Sequence, residues 1–231
     1  MKEKMEPFLY PLPFKSQKGQ DRWVIFEILP WKREGYFVDL AAADGVTHSN
    51  TYVLEKLFNW DGICIEPNSK FLKSLKRKRK CLIETSVISS KQEKVSFRID
   101  NDQLGGIVSS DTDNNYKLRS EELKTAKIVF LETTTLTEVL DRNNAPKFID
   151  YLSLDVEGSE ERVISSLDFN KYQFGCMTIE RPTPLVNKIL FDENYLFVKN
   201  YKFDSFYVHP KIMEQRKIKP RAFQQVPPKN W

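Results

Sequence analysis

A chain of 231 residues, 40% hydrophobic and 29% charged, has the size and makeup of one folded domain and excludes disorder throughout. Its net charge of +4 permits an acidic partner without requiring one, and no apolar stretch approaches the roughly 18 residues of a membrane span. Three cysteines, Cys64, Cys81 and Cys176, with no C-x-x-C pair, argue against a disulfide framework or a thiolate metal site and point to a reduced, cytoplasmic setting.

Residues 1–15 are punctuated by prolines and do not read as a signal peptide. Ser16, Gln17, Gln20 and Asp21 precede WVIFEIL, a predicted helix; these polar residues either N-cap it, through Ser16 or Asp21, or close over the cofactor. Residues 1–35 are thus a lead-in to the first strand, the apolar run Tyr36-Phe37-Val38 closed by Asp39 and Leu40. A turn of small residues, Ala41 to Gly45, follows. Val53, Leu54, Leu57 and Phe58 then mark one face of a helix, with Ser49 as a plausible N-cap. After the Asp61-Gly62 turn, Ile63-Cys64-Ile65 is a second strand that ends in Glu66.

This strand–turn–helix–strand unit has the size of a nucleotide-binding half. Glu66 lies about 20 residues past the turn, where an acid accepts hydrogen bonds from ribose hydroxyls. Dinucleotide sites use glycines so that backbone N–H groups reach a pyrophosphate. Here Ala41, Ala42 and Ala43 place methyl groups at that approach, which disfavours NAD. A ligand with adenosine and no phosphate suits the turn better, and S-adenosylmethionine is one. Asp39, at the end of the first strand, would meet its cationic amino-acid end. An ordinary crossover with a small-residue turn is the plainer alternative.

KFLKSLKRKRK, residues 70–80, reads as the solvated basic face of a second helix. A dock for an anionic surface is the sharper reading, without the interleaved aromatics of a nucleic-acid platform. CLIETSVIS is a third strand running into a polar turn. KVSFRI and KIVFLE alternate as strands do, and the Gly-, Ser- and Asp-rich stretch between them reads as an inserted loop over the end of the sheet, with Gly105 and Gly106 as a hinge. LTEVLDRNNAP is a helix. PKFIDYLSLD is the fourth strand ending at Asp155, EGSEERVISSL a helix, FGCMTIE the fifth strand ending at Glu180, and PLVNKILFDEN a helix. YLFVKNYKF and SFYVH form a predicted antiparallel hairpin that turns near Asp204 and Ser205. One domain thus covers 1–209, and 210–231 is a basic, proline-containing tail. No period of 20–50 residues recurs.

The joint order of FVDLAAADG, SNT, ICIEPN, TTTLTEVL and YLSLDVEGSEERVI resembles the FkbM-type family of S-adenosylmethionine-dependent methyltransferases, over roughly residues 16–209. The resemblance implies an α/β, Rossmann-like class I methyltransferase fold: a mostly parallel twisted sheet, helices on both faces and an antiparallel C-terminal hairpin. It implies O-methylation, with a sugar hydroxyl of a glycan or glycosylated metabolite as acceptor. It places Ser86 and Val87, after the third strand, beside the adenine. Around the cofactor it gathers Asp39, Ala41, Gly45, Ser49, Asn50, Glu66, Pro67, Asn68 and Asp155. The chain is either a whole enzyme or one domain of a larger one.

Transfer to a hydroxyl needs in-line geometry and a base. Four acids stand at strand ends: Asp39, Glu66, Asp155 and Glu180. With two assigned to the cofactor, Asp155, Glu157 and Glu180 are left for the acceptor. Mutual repulsion would raise their pKa values and make a better base. The same oxygens, those of Asp155 and Glu180 first, suit Mg²⁺ or Mn²⁺. His48 and His209 are further base candidates, and Arg181 either pairs with Glu180 or meets an anionic acceptor. Glu157 has a plainer alternative at the N-terminus of the next helix, as His48 has in capping. An RNA methyltransferase would need more stacking aromatics than residues 70–80 offer. An inactive methyltransferase-like interaction domain would be expected to lack Glu66 or Asp155, and both are present.

Overall fold

The computed structural model describes residues 12–227. Along the chain the strands are β1 (Tyr36–Leu40), β2 (Asp61–Ile65), β3 (Leu82–Glu84), β4 (Val87–Ile88), β5 (Lys94–Arg98) and β6 (Gly106–Ile107), then β7 (Ile128–Thr134), β8 (Phe148–Leu154), β9 (Gln173–Glu180), β10 (Leu196–Tyr201) and β11 (Asp204–Val208). The helices are α1 (Gln20–Trp23), α2 (Tyr52–Phe58), α3 (Ser69–Lys78), α4 (Tyr116–Lys124), α5 (Leu136–Arg142), α6 (Glu160–Ser165), α7 (Pro184–Asp192) and α8 (Pro210–Arg216). Among the described residues no helix is long and apolar enough to cross a membrane.

Seven strands form the main sheet in the order β10-β11-β9-β8-β1-β2-β3. β3, β2, β1, β8 and β9 run parallel, and β11 enters antiparallel between β9 and β10. Such a sheet needs both faces covered, and the strands supply apolar residues to each. Val38, Leu40, Ile63 and Ile65 pack with Leu140 of α5, Val163 of α6 and Leu190 of α7. Phe37, Cys64 and Tyr151 pack on the other side with Trp23, Val53 and Leu75. This is the Rossmann-like α/β architecture the sequence implies, with its antiparallel C-terminal hairpin. Chain order reverses between β1 and β8, so the crevice at their carboxyl ends is where this topology binds ligands.

A second, four-stranded sheet has the order β4-β7-β5-β6. The stretch read as one third strand is therefore two: Leu82–Glu84 stays in the main sheet, and Val87–Ile88 pairs with β7. The segment read as a loop carries a 3-10 turn at Asp102–Leu104, then β6 and α4. Gly105, one of the two glycines read as a hinge, packs closely against β5. A Cβ on it would stand 2.7 Å from the Arg98 carbonyl oxygen, so the glycine permits close backbone approach.

Three further differences are local. Gly19 occupies the N-cap position of α1 with no side-chain cap, and buried Asp21 instead gathers the Lys15 and Ser16 amides. The hairpin turns at Lys202 and Phe203. The tail begins with α8 and continues without regular secondary structure, with Phe223 set edge-on against Phe191 and Phe197 at 5.0 and 5.3 Å.

Candidate active site

Two adjoining hollows open at the carboxyl ends of the central strands. The first is lined largely by apolar side chains and encloses about 590 Å³, counting space open to solvent. Val87, Ile88, Phe97 and Ile107 from the second sheet and Phe71 of α3 are among its walls, and Glu66 and Asn68 are among its polar lining. The second is a polar cleft of about 1340 Å³ on the same measure. Leu40, Ala41, Ala43 and Gln103 line both, so the two are continuous.

Glu66 follows β2 and is 5% exposed. Its two carboxylate oxygens accept the Ala43 and Asn68 amides, each at 2.8 Å. A carboxylate offers about four lone-pair sites, so acceptor capacity remains for a ligand. Burial raises its pKa to about 7. The turn that supplies the Ala43 amide is strained: Ala41 and Ala43 both hold positive φ, 61° and 47°, a conformation that costs an L-residue with a Cβ.

The sequence-assigned cofactor residues separate in space. Ala41, Glu66, Pro67, Asn68, Ser86 and Val87 line the apolar hollow. Asp39, Ser49, Asn50 and Asp155 line the cleft instead. The Ser86 hydroxyl donates to Glu84 at 2.9 Å, and Asn68 caps α3 through Lys70 N and donates to Ile99 O. Ser49 sits upstream of the N-cap, Thr51, yet its hydroxyl accepts the Tyr52 amide at 3.1 Å. Asn50 donates to Ser153 while its buried Oδ1 has no hydrogen-bond partner among the described residues. Gly45 lines neither hollow. Its φ is +81°, and a Cβ there would meet Arg79 and Leu75 at 2.7 Å, so its part is close packing.

Arg79 is the residue the sequence concealed. It lies within a run of basic residues but is buried, paired with Glu55 at 2.7 Å and donating to Thr51 Oγ1 at 2.9 Å. Thr51 in turn donates to Asp39 at 2.5 Å. Burial raises the Asp39 pKa, against the pull of Arg79 and Thr51. Arg79 thus ties the turn after β1 to α2, a coupling that no local pattern announces.

Asp155, Glu157 and Glu180 come together: one carboxylate oxygen from each lies within 4.8 Å of the others. Asp155 follows β8 and keeps surface open to the cleft, although protein encloses it closely. Its pKa is pushed well up, first by burial and then by Glu180, with which it shares a hydrogen bond, and by Glu157. Arg181 answers Glu180 at 2.6 Å. The acid at the N-terminus of α6 is Glu160 rather than Glu157. Glu160 accepts the Val156 amide at 2.9 Å, and burial raises its pKa to about 8. The cluster's spacing would suit a divalent cation, but Arg181 already neutralises one of its three charges.

The histidines part company. His48 is exposed on the cleft wall, its Nδ1 2.8 Å from Gln17 Nε2 and 3.0 Å from Gln103 Oε1, and it precedes α2 by several residues rather than opening it. His209 cannot serve the site. It caps α8 between the rings of Phe148 and Tyr195, and its amide donates to Gly175 O near the start of β9. That is the opposite end of the sheet, because β11 runs antiparallel. Burial lowers its pKa.

Residues not anticipated also line the cleft: Lys18, Gln103, Leu104, Arg119, Lys202 and Phe203. They reach it from the lead-in, the 102–124 insertion and the hairpin turn. The position of the insertion over the sheet end was legible in advance, as was the alternative that polar lead-in residues close over the site, and Gln17 and Gln20 line the cleft.

The sequence matches the methyltransferase FkbM domain family over residues 39–204. No curated protein matches the chain. Among solved structures, a methyltransferase FkbM from Methylobacillus flagellatus KT is similar at 14% identity and a TM-score of 0.48, with 76% of this chain and 44% of that one covered. A precorrin-6y C5,15-methyltransferase from Geobacter metallireducens GS-15 is similar at 12% identity and a TM-score of 0.44, with 86% and 98% covered. The chain spans less than half the length of the FkbM structure it matches. The family match takes in well over half of the 231 residues, and this chain belongs to the family of methyltransferase FkbM domains.

Proposed function

We propose that the chain is an S-adenosylmethionine-dependent O-methyltransferase acting on a sugar hydroxyl. One observation carries the reading. A largely apolar hollow with a buried carboxylate, Glu66, opens into a polar cleft that holds the Asp155 cluster. The hollow's lining suits an adenosine group, with an apolar wall for the base and a buried acceptor for the ribose. Glu66 would accept from the ribose hydroxyls, Val87, Phe97 and Ile107 would wall the base, and Asp39 and Asn50 would meet the amino-acid end. When bound, S-adenosylmethionine supplies a methyl group on a sulfonium, open to attack by an oxygen nucleophile.

The chain's own residues supply the rest. Asp155 receives the acceptor hydroxyl as a hydrogen-bond donor and takes its proton. The raised pKa suits that task, since a base works best when its pKa approaches the working pH. Glu157 and Glu180 keep the pKa up, and Arg181 holds Glu180 in place. The 102–124 insertion screens the junction of the two hollows from water through Gln103 and Leu104. The sugar as acceptor follows from the family resemblance and from a cleft richer in polar than apolar side chains.

Calorimetry with S-adenosylhomocysteine and NAD⁺, followed by transfer of labelled methyl to a panel of sugars, tests this reading. Tight binding of the nucleoside and far weaker binding of the dinucleotide are expected. Comparable affinity for NAD⁺ would remove the proposal.

A further inference from the structure

The polar cleft holds charges of both signs in separate places. Asp155, Glu157 and Glu180 gather at the strand ends. Lys18 comes from the segment before α1, Arg119 from α4 and Lys202 from the hairpin turn. Arg181 also lines the cleft, but Glu180 at 2.6 Å and Asp113 at 3.6 Å already answer its charge.

Arg119 is placed differently. It is 9% exposed, and its ion partner among the described residues is Glu122 at 3.7 Å. That glutamate is half exposed and holds Arg98 more closely, at 2.9 Å. A guanidinium carries five N–H donors, and among the described residues no side-chain hydrogen bond engages those of Arg119. A cation so enclosed and so loosely paired is unfavourable until something completes it. The backbone leaves helical geometry at this residue, with φ −131° and ψ 36° inside α4. Lys18 and Lys202 have no ion pair among the described residues.

We infer that the acceptor carries an anionic substituent, a carboxylate or phosphate, which Arg119 binds with support from Lys202 and Lys18. The inference rests on the sugar-hydroxyl reading for the rest of the acceptor. The acids at the strand ends repel such a group and the cations from the other segments attract it. Charge therefore orients the ligand, with its hydroxyl toward Asp155 and its anion toward Arg119. The planar fork of arginine matches both carboxylate and phosphate. A neutral sugar leaves that fork unpaired, and a site built this way rejects the analogue that lacks the group. Phe203, next to Lys202 and 47% exposed, offers a ring to the apolar face of the same sugar.

The test titrates the protein, saturated with S-adenosylhomocysteine, with methyl glucoside, methyl glucuronide and methyl glucoside 6-phosphate. At least one charged sugar should bind roughly 30-fold more tightly than the neutral one, and Arg119→Gln should erase most of that margin. The preferred anion identifies carboxylate or phosphate. Affinity of the Arg119→Gln protein for S-adenosylhomocysteine should stay within about two-fold, a change too small for a lost charge-assisted bond. If Arg119→Gln fails to fold, Lys202→Ala, at an exposed turn, should still cut the charged-sugar margin several-fold. Equal binding of all three sugars, binding of none, or a margin that survives the variants overturns the inference. So does weakened S-adenosylhomocysteine binding in Arg119→Gln, which would give the guanidinium to the cofactor's own carboxylate. Labelled-methyl transfer in the same mixtures judges the other reading. Anion-dependent binding without transfer to any sugar removes the sugar-hydroxyl reading and leaves the anion site standing.

Discussion

Replacing Glu66 by Gln keeps the side chain's shape and removes its charge. In the protein its oxygens accept the Ala43 and Asn68 amides at 2.8 Å, and the carboxylate borders the apolar hollow. Two ribose hydroxyls donating to a charged acceptor gain about 1.5–3 kcal/mol each, against about 0.5–1.5 for a neutral one. The difference over two bonds is about 2–3 kcal/mol, or roughly 30–150-fold in affinity. A second signature follows from the pKa of about 7, set by burial. Below that pH the free protein holds Glu66 protonated, while a hydroxyl-donating ligand prefers it ionised. Affinity for S-adenosylhomocysteine should therefore rise with pH up to about 7 and then level off, gaining about tenfold between roughly pH 6 and 8. Glu66→Gln should lack that step. Calorimetry of both proteins from acidic to mildly alkaline pH, with folding checked by circular dichroism, reads both effects. Affinity unchanged by Glu66→Gln above neutral pH, or a pH step that persists in the variant, would refute the reasoning.

Asp155→Asn should lower turnover by about 10²–10⁴-fold, the range for a general base, while S-adenosylhomocysteine affinity stays within a few-fold. Near-normal turnover would make the carboxylate structural and move the base to His48. Because Arg181 already neutralises Glu180, activity should resist EDTA. Loss on chelation with recovery in Mg²⁺ or Mn²⁺ would reassign the cluster to a metal. Arg79→Met should destabilise the fold by about 1.5–3 kcal/mol in denaturant titration, because Glu55 and Thr51 lose the buried guanidinium while Glu55 keeps Lys56 at 2.6 Å. A change under about 1 kcal/mol would show that solvent reaches the pair.

The sequence by itself determined the first strand–turn–helix–strand unit. The apolar runs at 36–40 and 61–65, the alanine turn and the acid at position 66 are local signals, because strand and turn preferences act over a few residues. The strand-end position of Asp155 and Glu180 was legible for the same reason, and so was the C-terminal hairpin. What surrounds those residues was not. Arg79 reads as one more solvated base until Glu55, 24 positions earlier, is folded against it. His209 reads as a base at a strand end until β11 is seen to run backwards, which puts it at the far side of the sheet. The same reversal brings Lys202 and Phe203 to the cleft. Gly45 looks like part of a ligand turn and proves to be a contact for Arg79 and Leu75. Arg119 lies in a polar stretch with no distinguishing neighbour. Only packing of the 102–124 insertion over the sheet end makes it a buried cation that lines the polar cleft. Burial and charge pairing are sums over segments distant in the chain, so the tertiary structure alone decides them.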